Sequence, residues 1–482
     1  MNIISVIIVS TLLCLICWGQ PCEGSVTAGR NATALSAGAG GPQPVEIIRN
    51  GDAFQLHRSG KPYFIKGIGG SNFLESAAAS GANSVRTWGA QDADPLLDRA
   101  HALDMTVTLG IWLSHDPADY EDPAYRDSIT EEVRDLVQGH KSHPALLFWA
   151  LGNEINLEDA DTVTAWTFID TLARMIKSLD PFHPVITVVA CIPTTLELIQ
   201  AFAPSLDAVG VNSYGTLAGL RAMVDASTYT GPYLITEWGV TGHWEAQKTL
   251  WGRPIEPTSA WKSEFQISRY RLDIMANRDR CIGSYVFLWG FKQERTPTWY
   301  SMYLDDLPGG EGLASPMVDA MQFNWTGRWP DNRAPKVSAL HINGVPAEKN
   351  IVLNPGDPMV SQVEASDPED DPLIYVWELL REPVRLSKGG SHEERPARMA
   401  GMVQNGLPSL NLKAPLAAGE YRLFVYVLDR NGHAATANVP FQVRPGEDRN
   451  AVASGEKPDS EQLTLSLQES GDTAAETSGN KP

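Results

Sequence analysis

Residues 146–154 read LLFWALGNE and residues 233–238 read YLITEW, two short apolar runs that each reach a carboxylate at the C-terminal end. An unbroken apolar run of this length fits a strand buried on both faces, as in a parallel sheet. Six more runs surround them: Phe64–Gly69, Ser84–Trp88, Thr106–Leu113, Val185–Ala190, Ala208–Ser213 and Ile282–Trp289. Helical patterns lie between the runs. Asp94-Pro95 reads as N-cap and first helical position, with Leu96, Leu97, Ala100 and Leu103 on one face. Asp122-Pro123 opens another helix with Ile129, Val133, Leu136 and Val137, and Val163–Ile176 carries the stripe Trp166, Ile169, Leu172, Ala173, Ile176. Eight strand–helix repeats in residues 45–333 predict an α/β fold, a (β/α)8 barrel. The competing doubly wound sheet has fewer strands and a glycine-rich first turn, and Gly67–Gly70 (GIGG) lacks the spacing of a phosphate loop.

Outward from the barrel the composition changes. Residues 334–443 show short alternating strands, Leu373–Leu379, Tyr421–Leu428 and Ala435–Val443, between Pro, Gly and Asp turns, which predicts an all-β, immunoglobulin-like sandwich. The acidic turn Asp367–Asp371 (DPEDD) reads first as a solvated loop, with calcium binding the alternative. Residues 444–482 lack aromatic side chains and carry eight acids against four bases, the composition of a disordered tail. At the other end, Ile3–Trp18 is apolar but short for a membrane span, so residues 1–24 read as a secretory signal peptide and 25–44 as a flexible linker. An uncleaved anchor is the alternative. The expected location is secreted or extracytoplasmic, with no integral span after signal removal. Of the Cys at 14, 17, 22, 191 and 281, only the last two would remain, too few for a disulfide framework. A net charge of −20 disfavours nucleic acid and anionic membrane surfaces as partners.

In a (β/α)8 barrel the reacting groups project from the C-terminal strand ends. The fourth run ends in Asn153-Glu154 and the seventh carries Glu237, which places two carboxylates across one mouth. Such a pair is what glycoside hydrolysis needs. A protonated carboxyl donates to the leaving oxygen, while an ionised one attacks the anomeric carbon. Taken singly, either Glu also reads as a strand-end cap or the partner of a rim Arg.

Ala150–Glu154 (ALGNE) with Thr236–Gly239 (TEWG) resembles the catalytic barrels of glycoside hydrolase clan A, above all family 2 barrels of the β-glucuronidase and β-mannosidase type, with family 5 next. The resemblance covers the barrel only. It implies Glu154 as acid/base and Glu237 as nucleophile of a retaining mechanism, and Asn153 as the partner of a sugar 2-hydroxyl. It further implies that Arg86 pairs with Glu237, that Tyr214 donates to the same carboxylate, and that Trp289 forms a stacking floor under the sugar. Two departures stand out. Fewer than 50 residues precede the barrel, where family 2 enzymes carry two β domains, and Asn212-Ser213 replaces the His that many family 5 members place near the Tyr.

His115, after the third run, reads either as a hydroxyl ligand or as a loop histidine. Trp88 and Trp238 read either as cleft lining or as filling of the barrel top. Trp112, Trp244, Trp251, Trp261, Trp299 and Tyr300 fall near predicted loops at the catalytic face, as a sugar platform or as apolar anchors of long loops. No zinc motif appears, His140 and His143 read as a helix terminus, and neither metal nor cofactor is expected. The expectation is thus an exported retaining β-glycosidase acting on a neutral polysaccharide or oligosaccharide, whose sandwich positions the barrel or binds glycan or protein. A transglycosylase using the same residues and a non-catalytic glycan-binding protein are the rivals.

Overall fold

Eight parallel strands close into a barrel in the computed structural model, which describes residues 41–445 apart from 158–159, 191–192, 308–309, 387–392 and 405. The strands are Ile65–Gly69, Ser84–Arg86, Thr106–Ile111, Leu146–Leu151, Val185–Ala190, Ala208–Asn212, Tyr233–Trp238 and Cys281–Val286. The ring shuts where the eighth strand pairs with the first, Gly283 opposite Ile65 and Val286 opposite Ile68. The (β/α)8 expectation therefore holds, each strand falling within or close to its apolar run. The residues read as a signal peptide, Cys14, Cys17, Cys22 and Cys191, and most of the stretches read as linker and acidic tail lie outside the described residues.

The barrel interior is packed. Tyr285 crosses it and its hydroxyl meets Ser84 Oγ at 2.9 Å and Thr108 Oγ1 at 2.6 Å. Gly67 makes the room: a Cβ there would lie 2.1 Å from the Tyr285 ring. An antiparallel hairpin, Val45–Asn50 with Ala53–Arg58, adds Val45 and Leu56 to this interior cluster. Its backbone is anchored by Val45 N–H on Phe182 O and Phe54 N–H on Asp279 O, both just before a barrel strand. The hairpin thus plugs the N-terminal end, and the C-terminal end is the mouth.

Helix starts show where sequence patterns mislead. Asp122 caps the helix Pro123–His140 by accepting from Ala124 N–H at 2.9 Å, as expected. Asp94 does not cap: its helix starts at Ala93, and the Asp94 carboxylate lies 2.9 Å from His140 Nε2. The His140 imidazole, at the end of the helix Pro123–His140, takes the oxygen that a cap would have used. Helix Val163–Leu179 buries Trp166, Ile169, Leu172, Ala173 and Ile176, the stripe read from the sequence.

Beyond the barrel, a five-stranded sheet (Val352–Leu353, Ala434–Val443, Gly419–Leu428, Ile374–Arg381, Arg398–Gln404) faces three short strands, His341–Ile342, Pro358–Gln362 and Ser409–Lys413. Trp377, Tyr421 and Phe441 lie in their shared core. Barrel and sandwich belong to one compact unit. Between them lies a buried polar network. Glu256 accepts from Lys262 Nζ (2.5 Å), Thr296 (2.6 Å), Asn438 Nδ2 (2.7 Å) and Thr298 (2.8 Å). Arg422 donates to Glu382 (2.8 Å), Asn438 (2.7 Å) and the Pro254 carbonyl (2.8 Å). The network ties the loops after the seventh and eighth strands to the sandwich. Among the described residues no helix is long and apolar enough to cross a membrane.

Candidate active site

The fourth strand stops at Leu151, and Gly152, at φ +73°, turns the chain over the mouth. Glu154 follows at φ +53°, a left-handed conformation uncommon for a residue with a side chain. Two clamps hold it there. Glu154 N–H donates to Val188 O on the fifth strand at 2.9 Å, and His115 Nε2 donates to Asn153 O at 2.7 Å. Glu237 needs no such turn: it lies within the seventh strand, opposite Asn212 of the sixth.

Arg86, 1% exposed, joins the two sides. Its Nη1 donates to Glu237 Oε1 (2.9 Å) and Thr236 O (3.1 Å), and its Nη2 to Asn153 Oδ1 (2.6 Å). Trp88 Nε1 reaches the same Glu237 oxygen at 2.7 Å, and the Tyr214 hydroxyl donates to Oε2 at 2.8 Å. Three donors, one of them cationic, converge on Glu237 and hold both of its oxygens in place. Burial and the neighbouring Glu237 push the Tyr214 hydroxyl well above its usual range, so it stays a donor.

Glu154 is treated differently. Among the described residues its one side-chain donor is Asn212 Nδ2, at 2.9 Å, and Asn212 is fixed by accepting from Thr236 Oγ1 at 2.7 Å. Burial first, and then the charge of Glu237, push the Glu154 carboxyl up to about 7. One mouth therefore holds a carboxyl group with several donors beside one whose proton affinity is raised to about 7. The two carboxyls differ in their surroundings, not in residue type.

The structure brings Arg86, Asn153, Glu154, Tyr214 and Glu237 together as one hydrogen-bonded group, with His115 behind Asn153. It does not bring Trp289 to them. That side chain is fully buried, its indole donating to Phe73 O at 3.2 Å and its ring packed on Tyr303 and Trp325 at centroid distances of 5.4 and 5.7 Å. The eighth strand ends at Val286, so Trp289 lies past the rim, over the barrel's outer packing. No face is left for a sugar. Of the other candidate aromatics, Trp299 and Tyr300 are buried, whereas Trp112 and Trp244 are half exposed at 50% and 51%. Trp112 tilts against His115 (5.2 Å) and Trp244 meets Tyr214 edge-on (5.5 Å), so these two rings flank the carboxyl pair, whereas the exposed Trp261 stacks on Phe265.

Sequence reasoning missed three loop residues. His243 Nε2 lies 3.1 Å from Glu294 Oε1, and Lys292 Nζ lies 2.6 Å from Glu294 Oε2. Burial raises the Glu294 carboxyl, but His243 and Lys292 outweigh it and hold it below its usual range. The Glu294 charge in turn contributes to the raised Glu154 value. Long loops carry no periodicity, so nothing in the sequence marked these positions. Asn212 and Trp88 were visible, but their roles depended on which carboxylate oxygen each reaches.

Residues 99–262 match the model of a family described as glycosyl hydrolases family 2, TIM barrel domain. A β-galactosidase of Arthrobacter sp. (strain B7) is 27% identical over 120 residues, which is 24% of this chain and 11% of that protein. Among solved structures, Bacteroides uniformis β-glucuronidase 2 aligns at 14% identity and a TM-score of 0.46, covering 83% of this chain and 48% of that one. An FMN-binding β-glucuronidase from Facaelibacterium prausnitzii L2-6 aligns at 13% identity and a TM-score of 0.46, covering 84% and 60%. The chain thus spans 48% of the first of these structures and a smaller share of the curated relative.

Proposed function

We propose that this chain, whose barrel is a glycosyl hydrolase family 2 catalytic barrel, cleaves β-glycosides with retention of configuration, with Glu237 as nucleophile and Glu154 as acid/base. The observation that carries the reading is the unequal solvation of the two carboxyls: three donors on Glu237, and one donor beside a raised proton affinity on Glu154.

In the first step a Glu237 oxygen attacks the anomeric carbon, and the bond to the leaving oxygen breaks as Glu154 delivers its proton. Arg86 then holds the Glu237 side chain in place while its charge passes into the ester. In the second step Glu154, now ionised, takes a proton from water. The water oxygen attacks the same carbon, and Glu237 leaves as carboxylate. Asn153 points its Oδ1 at Arg86, and among the described residues no side chain or carbonyl accepts from its Nδ2. That amide is the donor available to the sugar 2-hydroxyl, where a contact strengthens in the transition state.

We assign the substrate to neutral polysaccharides or oligosaccharides, gripped between the exposed rings of Trp112 and Trp244. Export follows from the apolar run Ile3–Trp18, and the sandwich then serves to brace the long loops. Cell fractionation with N-terminal sequencing of the mature chain checks the export.

The decisive experiment is Glu237→Gly assayed on an aryl β-glycoside with azide. The variant should lose turnover and regain it as a glycosyl azide of inverted configuration. Undiminished hydrolysis by the variant would remove Glu237 from the nucleophile role. Product analysis at high acceptor sugar separates hydrolysis from transglycosylation, and a chain that binds glycans yet turns over none would be the binding protein.

A further inference from the structure

The sandwich contains a second concentration of carboxylates, far removed in sequence from the barrel mouth and used by no step above. Asp367, Asp371 and Asp429 each present a carboxylate oxygen, and the three oxygens lie within 4.8 Å of one another. Three negative charges at that spacing repel strongly unless a cation sits among them. Among the described residues no Lys or Arg is within 4.0 Å of them. Arg333 is taken by Glu369 at 2.8 Å, and the one basic neighbour is His433, 3.3 Å from Asp429.

A second observation concerns Asp367 itself, which is 9% exposed. Its Oδ1 accepts the backbone N–H groups of Glu369 (2.9 Å) and Asp371 (3.0 Å). Its Oδ2 is buried and meets no donor among the described residues. A buried carboxylate oxygen normally carries a hydrogen bond, and one that does not is waiting for a different partner. Asp429, 1% exposed, is oriented by Asn431 N–H (2.7 Å) and His433 N–H (3.0 Å) on Oδ1. The donor set is all oxygen, mostly charged, and built on loops, which suits a hard cation of high and flexible coordination number.

We propose that Asp367, Asp371 and Asp429 bind a calcium ion. Magnesium fits less well, because it keeps much of its water and seldom takes three protein carboxylates at once. The location gives the ion a task. Asn332 Nδ2 donates to Asp429 Oδ2 at 2.7 Å, and Arg333 N–H donates to Glu369 at 3.0 Å, so both carboxylate loops hold the segment by which the chain leaves the barrel. Asn431 Nδ2 ties the two loops to each other through Asp371 at 2.7 Å. Calcium would fasten the sandwich to its connection without touching Glu154 or Glu237.

The test uses the full chain stripped with a chelator, dialysed, and titrated with calcium chloride by calorimetry and thermal melting. The expected result is one equivalent of calcium bound and a raised melting temperature, with magnesium at the same concentration giving far less. Asp371→Asn keeps the side-chain shape at a partly exposed position and should weaken calcium binding by about tenfold or more. Asp367→Asn should do the same while leaving the metal-free protein at least as stable, because it relieves the repulsion. No heat and no melting shift up to ~10 mM calcium would overturn the proposal. So would equal responses to calcium and magnesium, or an unchanged calcium response in both variants.

Discussion

Glu154, half-buried at the barrel mouth, and Glu256, buried at the barrel–sandwich seam, are glutamates whose surroundings hold them in opposite states. Four donors surround Glu256, including the Lys262 ammonium. Burial alone would raise its carboxyl, but Lys262 and the hydroxyls outweigh it and hold the group below its usual range. Lys262 is itself pushed down by burial, yet it spends all its donors on Glu256 and the carbonyls of Thr298 and Trp299. The seam is electrostatically complete and has nothing left to do. Glu154 has one donor and a like charge nearby, and sits near 7. At these two glutamates, full pairing leaves Glu256 to hold the seam, while the shortage of partners leaves Glu154 poised to exchange a proton.

The sharpest way to break this contrast is to neutralise one carboxylate on each side. Glu237→Gln should lower kcat by about 10⁴-fold or more while the fold persists, because the amide oxygen can still accept from Arg86. Glu256→Ala should do the reverse, leaving Lys262 buried without its anion and costing roughly 3–5 kcal/mol in denaturant unfolding, while activity at low temperature persists. A Glu256→Ala protein of normal stability would show that the seam is ornamental.

A smaller effect is expected from Trp88→Phe. It removes one charge-assisted hydrogen bond from Glu237, and a loss of ~10–100-fold in kcat/KM should follow. Trp289→Phe should instead act on stability alone, since that indole bonds to Phe73 O.

The mildest test reads pH. With Glu154 as the proposed acid, glycosylation requires its proton, so kcat/KM should fall as pH rises through about 7. Asn212 lowers the Glu154 value by donating to it, so Asn212→Ala should move that alkaline limb to higher pH. The stability effect has the matching sign. A carboxyl whose folded value is raised binds its proton more tightly folded than unfolded, so folding loses stability as pH climbs from about 4.5 to about 7. Glu154→Gln should therefore gain stability above pH ~7 and none near pH ~4.

Much of this site was legible because a barrel converts strand order into angular position. Once eight runs were counted, the residues at the second, fourth, sixth and seventh ends had to share one mouth, and Arg86, Asn153, Glu154, Tyr214 and Glu237 do. Trp289 shows the limit: an aromatic three residues past a strand end can turn inward or over the rim, and packing against Tyr303 and Trp325 decided the second. His243, Lys292 and Glu294 were invisible, since two long aperiodic loops bring them together. The role of Glu256 was invisible for a similar reason, because its partner Asn438 lies 182 residues away.

The sequence by itself determined the barrel, the sandwich and the pair of carboxylates, because burial periodicity and strand order are local properties of the chain. Only the tertiary structure decided which carboxyl keeps its proton. That depends on how many donors reach each oxygen, and the donors Arg86, Trp88, Asn212 and Tyr214 come from separate strands and loops that meet only when the barrel closes.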